Sequence, residues 1–425
     1  MKSIIFLSFI FVFFYSCCSE NEYDQVKRQT DDQGVVIATP YLWKKLLHKS
    51  KIAPNGFIIR PIYYKNGVVI PMTNDDDCML ALIDVDNGKT LWEWDDEFSP
   101  KRSAKDIWYY VFMNNLLIYQ DGSRSYCLNM DDGSTFWKYA REQSFRDEIA
   151  IMKKKYFIFG AIYSDEGTEM AAYMGDIESG ETVTPKIRMD FPIDIDYPDG
   201  AWGPKFKGGV LYLNNAPDND HLLIVSHHEV LPDWTFNTYF SLYNAETEEW
   251  VWKKQSIIAN YYGTFFSQPC IYDGKIYANI GCSIVCHDLA TGKQLWRENF
   301  NNDFMFTGFI VEDGKVIGNC ETGYAYGLDA KTGNRLWSVK TAGTGGRMSY
   351  LNGVVYFVGG SVRRLFAIEA STGKMIWKID PHLLGEDYDA GFRVNAVYTL
   401  PAKGNQPAKV IALSDLYAYC FEAYR

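Results

Sequence analysis

The segment Leu328-Asp329-Ala330-Lys331-Thr332-Gly333-Asn334-Arg335-Leu336-Trp337 returns in close copies along nearly the whole chain, and a repeat constrains a fold more tightly than any single residue. Written as Asp-x-x-x-Gly-x-x-x-Trp, it stands at Asp84/Gly88/Trp92, Asp288/Gly292/Trp296 and Asp329/Gly333/Trp337. Glu369/Gly373/Trp377 carries Glu for Asp, and Asn129/Gly133/Trp137 carries Asn. Two copies are degraded: Asp176/Gly180 has Thr184 where the Trp belongs, and Asn244/Trp252 has Glu248 where the Gly belongs. Successive Trp positions are 45, 47, 68, 44, 41 and 40 residues apart, from Trp92 to Trp377. A period of about 40 to 50 residues is the size of a propeller blade.

Each copy reads as two strands around a tight turn. An Asp or Asn side chain can bond the backbone just ahead of it, and the Gly is free to take positive φ. Upstream lies a further apolar run, such as Gly353-Val354-Val355-Tyr356-Phe357-Val358, bounded by Asn352-Gly353 and Gly359-Gly360. Valines and aromatics between turn residues predict strands. Four short strands per period, with no helix-period stretch between them, predict a β-propeller of four-stranded blades. A length of 425 residues would ordinarily suggest two or three domains. The fixed repeat predicts one ring instead, and the aromatic content of 16% suits many strands.

The two chain ends carry complementary halves of a repeat. Leu42-Trp43-Lys44 copies the end of one (compare Ile376-Trp377-Lys378), while Asp415 to Phe421 matches the strand before the turn and the chain stops at Arg425. This predicts that an N-terminal strand completes the last blade, which removes unpaired sheet edges. Seven internal copies and the composite predict eight blades over residues 35–425. Trp43, Trp92, Trp137, Trp252, Trp296, Trp337 and Trp377, with Gly88, Gly133, Gly292, Gly333 and Gly373, hold corresponding places in these copies.

Met1-Lys2-Ser3 and the apolar run to Ser16 are too short to span a bilayer of about 30 Å and read as an export signal over residues 1–16. A small residue before a Cys at the end of that run resembles the lipobox of bacterial lipoproteins. The resemblance implies lipidation at Cys17, or at Cys18. The acidic stretch Ser19 to Asp24 resembles the export tag of Bacteroidota surface lipoproteins, and polar residues 17–34 are expected to form a flexible tether.

The runs Leu365 to Trp377 and Tyr324 to Trp337 resemble the quinoprotein-type (PQQ-like) propeller repeat, over about residues 35–425. In that superfamily the turn and the Trp dock neighbouring blades, and many members bind no quinone. Two subfamilies compete. The outer-membrane assembly factor lipoprotein is a non-enzymatic eight-bladed ring on a lipid anchor, and length, anchor and blade count are similar to it. That resemblance implies a protein-binding scaffold in the cell envelope, with envelope or outer-membrane proteins as partners, on the periplasmic or the surface-exposed side. Quinoprotein dehydrogenases imply PQQ with calcium, a vicinal Cys pair beside the quinone and a Glu/Asn/Asp calcium site. Here the vicinal pair Cys17-Cys18 lies in the signal region, and the calcium site finds no residue-by-residue match. No cofactor is therefore expected outside that alternative. A surface glycan-binding lipoprotein is the third reading.

Other candidates have plainer accounts. The repeated acids Asp84, Asp176, Asp288, Asp329 and Glu369 recur once per blade and are expected to be structural rather than catalytic. Cys282-x-x-x-Cys286-His287 is one residue too long for haem attachment, and Cys127 and Cys286 stand in a repeat slot that wants a small or apolar residue. A disulfide between Cys282 and Cys320 or Cys270 stays open. His227 and His228, adjacent in a strand, point opposite ways and cannot share a metal ion. The long step from Thr184 to Trp252 is the one break in regularity. It holds Asp194, Asp196 and Asp199, and the aromatics Tyr197, Trp202 and Trp234, which are candidate platforms for a partner or a sugar. The net charge of −11, without a basic patch, predicts no nucleic-acid partner.

Overall fold

The computed structural model describes residues 26–47, 62–74, 77–95, 97, 109–121, 124–140, 149–152, 155–164, 167–181, 187–188, 222–230, 236–244, 246–261, 269–300, 306–343 and 345–425. The candidates Cys17, Cys18, Tyr197, Trp202 and Trp234, with Thr184 and the carboxylates at 194, 196 and 199, lie outside these residues.

Why the motif makes a hairpin is visible in its bonds. Asp329 Oδ1 accepts from the Thr332 N–H and hydroxyl, each at 2.8 Å, and the Gly333 N–H donates to Asp329 O at 2.8 Å. Gly333 sits at φ 77°, in the left-handed region that only glycine enters without cost. Asp84, Asn129, Asp176, Asn244 and Asp288 accept from the backbone of their own turns in the same manner. In the degraded copy, Glu248 stands in the glycine slot and still takes φ 60°. Neighbouring contacts therefore impose the turn even where the residue resists it.

After the turn the chain runs back, and each Trp lands opposite a small or apolar residue: Leu82↔Trp92, Cys127↔Trp137, Leu242↔Trp252, Cys286↔Trp296, Gly327↔Trp337 and Ala367↔Trp377. The register shifts immediately afterwards, as in the step from Gly327 to Leu328. This bulge turns the indole across the sheet. A Cβ at Gly327 would lie 2.3 Å from the Trp337 ring, which explains why the slot excludes bulk.

The described residues form eight sheets, almost wholly antiparallel. The first joins Ile62–Tyr64, Gly67–Asn74, Asp77–Asp84 and Thr90–Asp95. The second, third, fifth and sixth repeat this four-strand order. Three strands of the fourth are described, Leu222–Val230, Phe236–Asn244 and Glu249–Tyr261. The fifth ends in Gln294–Asn299 and the sixth in Arg335–Lys340, each the outer, Trp-bearing strand.

The seventh and eighth sheets are built with the N-terminal segment. Trp43–Leu46 is the outer strand of the eighth, paired to Tyr417–Glu422 with Trp43 opposite Cys420. An N-terminal strand does complete the last repeat. Its small slot is Cys420, two residues beyond Ala418, the position that counting along the sequence selects. The hairpin there is open, so no turn sets the count. The seventh sheet has six strands, because Val36–Ala38 runs parallel to Met375–Ile379, with Val36 opposite Trp377, and Gln29–Thr30 folds back on it. That pairing begins inside the stretch whose polar composition predicts a tether.

Cores lie between neighbouring sheets. Trp43, Val68, Ile70, Ile411, Leu413 and Cys420 share one, joining the first sheet to the eighth. Val36, Tyr356, Trp377, Phe392, Tyr419 and Phe421 share another, joining the seventh to the eighth. Among the described residues no helix is long and apolar enough to cross a membrane.

Candidate functional site

The repeat's own chemistry is structural. Each Trp Nε1 donates to a backbone carbonyl of the next sheet: Trp43 to Val85, Trp92 to Met130, Trp137 to Ile177, Trp252 to Leu289, Trp296 to Ala330 and Trp337 to Ala370, at 2.6–3.0 Å. The ring also covers the next turn's glycine. A Cβ at Gly88, Gly133, Gly333 or Gly373 would lie 3.0, 2.7, 2.6 or 2.7 Å from the ring of Trp43, Trp92, Trp296 or Trp337. Gly292, at φ 72°, holds the same place in its turn. Trp377 alone of the series meets rings instead: Phe421 at 6.2 Å and Tyr356 at 5.4 Å, both edge-on.

The motif acids do not converge. Each carboxylate is engaged by its own turn, and hydrogen bonds from Thr291 and from Thr332 hold Asp288 and Asp329 below the usual carboxylate range. Glu369, bonded by Thr372 and Arg425, is lowered for the same reason.

Cys127, Cys286, Cys320 and Cys420 are buried, and Cys270 and Cys282 are half-buried. None of these six is in a disulfide, so Cys282 is bonded to neither Cys320 nor Cys270. Burial pushes the thiols of Cys127 and Cys420 up to about 12 and that of Cys286 up to about 11, far from nucleophilic character. His287 is buried with Nδ1 2.8 Å from Gly292 O, so it supports the turn. His227 and His228 hold successive positions of one strand, opposite Tyr239 and Thr238. Among the described residues no three His, Cys, Asp or Glu side chains converge to hold a metal ion.

What sequence reading missed lies between the seventh and eighth sheets, at the ends away from the Asp-x-x-x-Gly turns. Asp415 caps this region. It accepts from Arg363, from Arg393 Nε at 2.7 Å and from the Gly391 N–H at 3.1 Å. Beside it Arg364 Nε pairs with Asp380 at 2.9 Å, and Asp380 caps the short 3-10 turn Pro381–Leu384. Below that turn Glu386 is buried, with Oε1 receiving the Tyr419 hydroxyl at 2.8 Å. Burial raises its carboxyl above the ordinary Glu value, against the lowering effect of Ser414 and Tyr419. Tyr388 projects from the same connection, 81% exposed. This is a polar platform with two arginines on one carboxylate. The only sequence signal for it is position: Asp415 and residues 380–391 fall at the start of, or between, the runs that predict strands.

With that geometry in view, the comparisons are informative. The family model described as outer membrane protein assembly factor BamB matches residues 237–345 and 321–386. A search of curated protein sequences finds no match. Among solved structures, BamB from Moraxella catarrhalis is similar at TM-score 0.59 and 12% identity, over 90% of this chain and 99% of that one. Quinohemoprotein alcohol dehydrogenase from Comamonas testosteroni is similar at 0.60 and 13%, over 90% of this chain and 76% of that one. The computationally designed Ika8 protein is similar at 0.58 and 14%, over 89% and 100%. At such identities the structures speak for the fold and not for a shared activity. Repeat, register, docking tryptophans and these likenesses agree on a β-propeller fold, and over residues 237–386 its repeat is similar to that of the PQQ-like family.

Proposed function

We propose that this chain is a non-enzymatic scaffold of the bacterial envelope, in which the eight sheets are the blades of one closed ring. Lipid on Cys17 or Cys18 holds the ring at the outer membrane, and its loops take a partner protein. One observation carries the reading: the chemistry that recurs from repeat to repeat is consumed inside the fold, acids in their own turns and six of the indoles on neighbouring carbonyls. What remains for a partner is the loop ends, where Asp415, Arg363, Arg393 and Tyr388 form the described part of a polar, aromatic platform. The likeness to the BamB family model supports the same direction. Function then follows from rigidity, since a fixed platform binds without an ordering cost.

The quinone alternative has less support. The described residues offer neither three converging ligands nor a vicinal thiol pair, so no step through PQQ and calcium is derived. Glycan binding at Tyr197, Trp202 and Trp234 has no described geometry.

The test has two arms. Photo-cross-linking from Tyr388 and from residues 190–202 in intact envelopes should capture a protein, and deleting 190–202 or 231–235 should weaken capture without unfolding the ring. The second deletion starts at 231 because 227–230 belong to a paired strand. Titrating the soluble chain with PQQ and calcium should give no saturable heat. Tight quinone binding, below about 10 μM, would overturn the scaffold reading.

A further inference from the structure

The residue just before each motif Trp is apolar, and in sheet after sheet it faces solvent: Leu42, Leu91, Phe136, Val251, Leu295 and Leu336 are 43–54% exposed. The seventh sheet is the exception. There Ile376 is 7% exposed and Ile379 fully buried, because Val36–Ala38 lies along that edge. The covering strand alternates, with Val36 and Ala38 buried and Ile37 half-buried. The same motif thus exists with and without an occupant.

We infer that the outer edges of the fifth and sixth sheets, Gln294–Asn299 and Arg335–Lys340, accept an extended polypeptide by parallel strand addition, as the seventh accepts this chain's own Val36–Ala38. The proposal rests on the scaffold reading and names how a partner would be held. An edge strand offers a row of N–H and C=O groups, and Leu295 and Leu336 offer the apolar contact that Ile376 makes on the seventh. Charge defines the partner further. Arg297, Arg335 and Lys340 outnumber Glu298 on the two bare edges, and the occupied edge, Met375–Ile379, likewise carries Lys378. The segment seated there follows Asp31-Asp32 in the chain. The fitting partner is therefore an extended segment with acidic residues ahead of alternating small or branched apolar ones.

The experiment uses the full soluble chain and a labelled synthetic peptide copying residues 31–40, read by fluorescence anisotropy and by amide hydrogen exchange. Saturable binding should protect amides of 294–299 and 335–340. The double variant Leu295→Asp, Leu336→Asp should weaken it at least tenfold, and a peptide N-methylated at Val36 and Ile37 should fail to bind. Both leucines are exposed, so the variant should keep the wild-type melting temperature; if it does not, the N-methylated peptide decides alone. Equal binding to wild type and variant, protection confined to 375–379, or no saturation by about 1 mM overturns the inference. A partner cross-linked from Tyr388 while the peptide fails would leave the scaffold standing and remove only the edges.

Discussion

The sixth and seventh sheets carry the same ten-residue motif, yet their outer strands live in different surroundings. Trp337 is half-buried, donates to Ala370 O and covers Gly373. Trp377 is 3% exposed and enclosed by Tyr356, Phe421 and the N-terminal strand. The cause is the chain ends. The eighth sheet has no closed hairpin for Trp377 to dock on, because its outer strand comes from residues 43–46. Ala423 takes the position of Ala370, its N–H donating to Ala408 O as Ala370 donates to Gly353 O. Arg425 pairs with Glu369 at 2.6 Å, and Asn352 Nδ2 donates to Arg425 O. A repeat junction is thus made by turn geometry, and the join between chain ends by apolar burial.

The largest effect should come from removing the indoles. Trp377→Ala is expected to cost about 3–5 kcal/mol, the range for deleting a buried large aromatic. Trp337→Ala should cost less, although it loses a hydrogen bond, because its ring starts partly in water. Urea midpoints measured for both variants check this. A larger loss at Trp337 would mean that the indole–carbonyl bond outweighs burial.

Next in size, Gly373→Ala should cost about 3 kcal/mol, adding left-handed backbone strain to a Cβ 2.7 Å from Trp337. Gly353→Ala, at φ 80° with nothing within 4 Å, isolates the backbone part at about 1 kcal/mol. Similar losses in the two would show that glycine serves conformation alone and that ring contact is incidental.

The edges give a smaller contrast. Val36→Asp places a charge where the side chain is 2% exposed and should cost about 2 kcal/mol, through loss of the added strand. Leu336→Asp, on a bare edge, should stay within about 0.5 kcal/mol. Proteolysis near residues 30–38 should quicken in the first variant only.

Much of this was legible beforehand, since a motif repeated seven times averages out local accidents. Turn and strand order follow from Asp-x-x-x-Gly-x-x-x-Trp, and the pairing of Trp43 with the last strands follows from its half-copies at the two ends; the docking role of Trp and Gly is what the family resemblance implies. The small slot opposite Trp was legible as a composition rule, and Gly327 shows its steric cause. The second N-terminal strand was not, because Val36-Ile37-Ala38 is three residues long and its parallel partner is more than 300 residues away in sequence. In the sequence Asp415 matches the start of a strand; its two arginines come from the turn before Arg364 and from Arg393, positions that no period relates. Cooperation between non-repeating loops leaves no periodic trace.

The subtlest prediction concerns Glu386, which belongs to the join. Facing it are Tyr419 and Ser414, with Asp415 and Lys44 acting by charge; Asp415 and burial favour the protonated form. The folded carboxyl therefore titrates above its ordinary value of 4.5, the value expected in the unfolded chain. Its contribution is complete below that ordinary value. As pH rises the unfolded chain ionises first, and stability declines until the folded carboxyl has also lost its proton. Asp86, Asp288 and Asp329 have lowered values and act in the opposite sense, losing their contribution as pH falls. Glu386→Gln keeps an acceptor for Tyr419 and abolishes only the titration. The variant's melting temperature minus that of wild type should climb with pH from about 4.5 upward and then level off. A difference that is flat across this window would mean that the carboxyl reaches water in the folded chain, and that the join is looser than the regular junctions beside it.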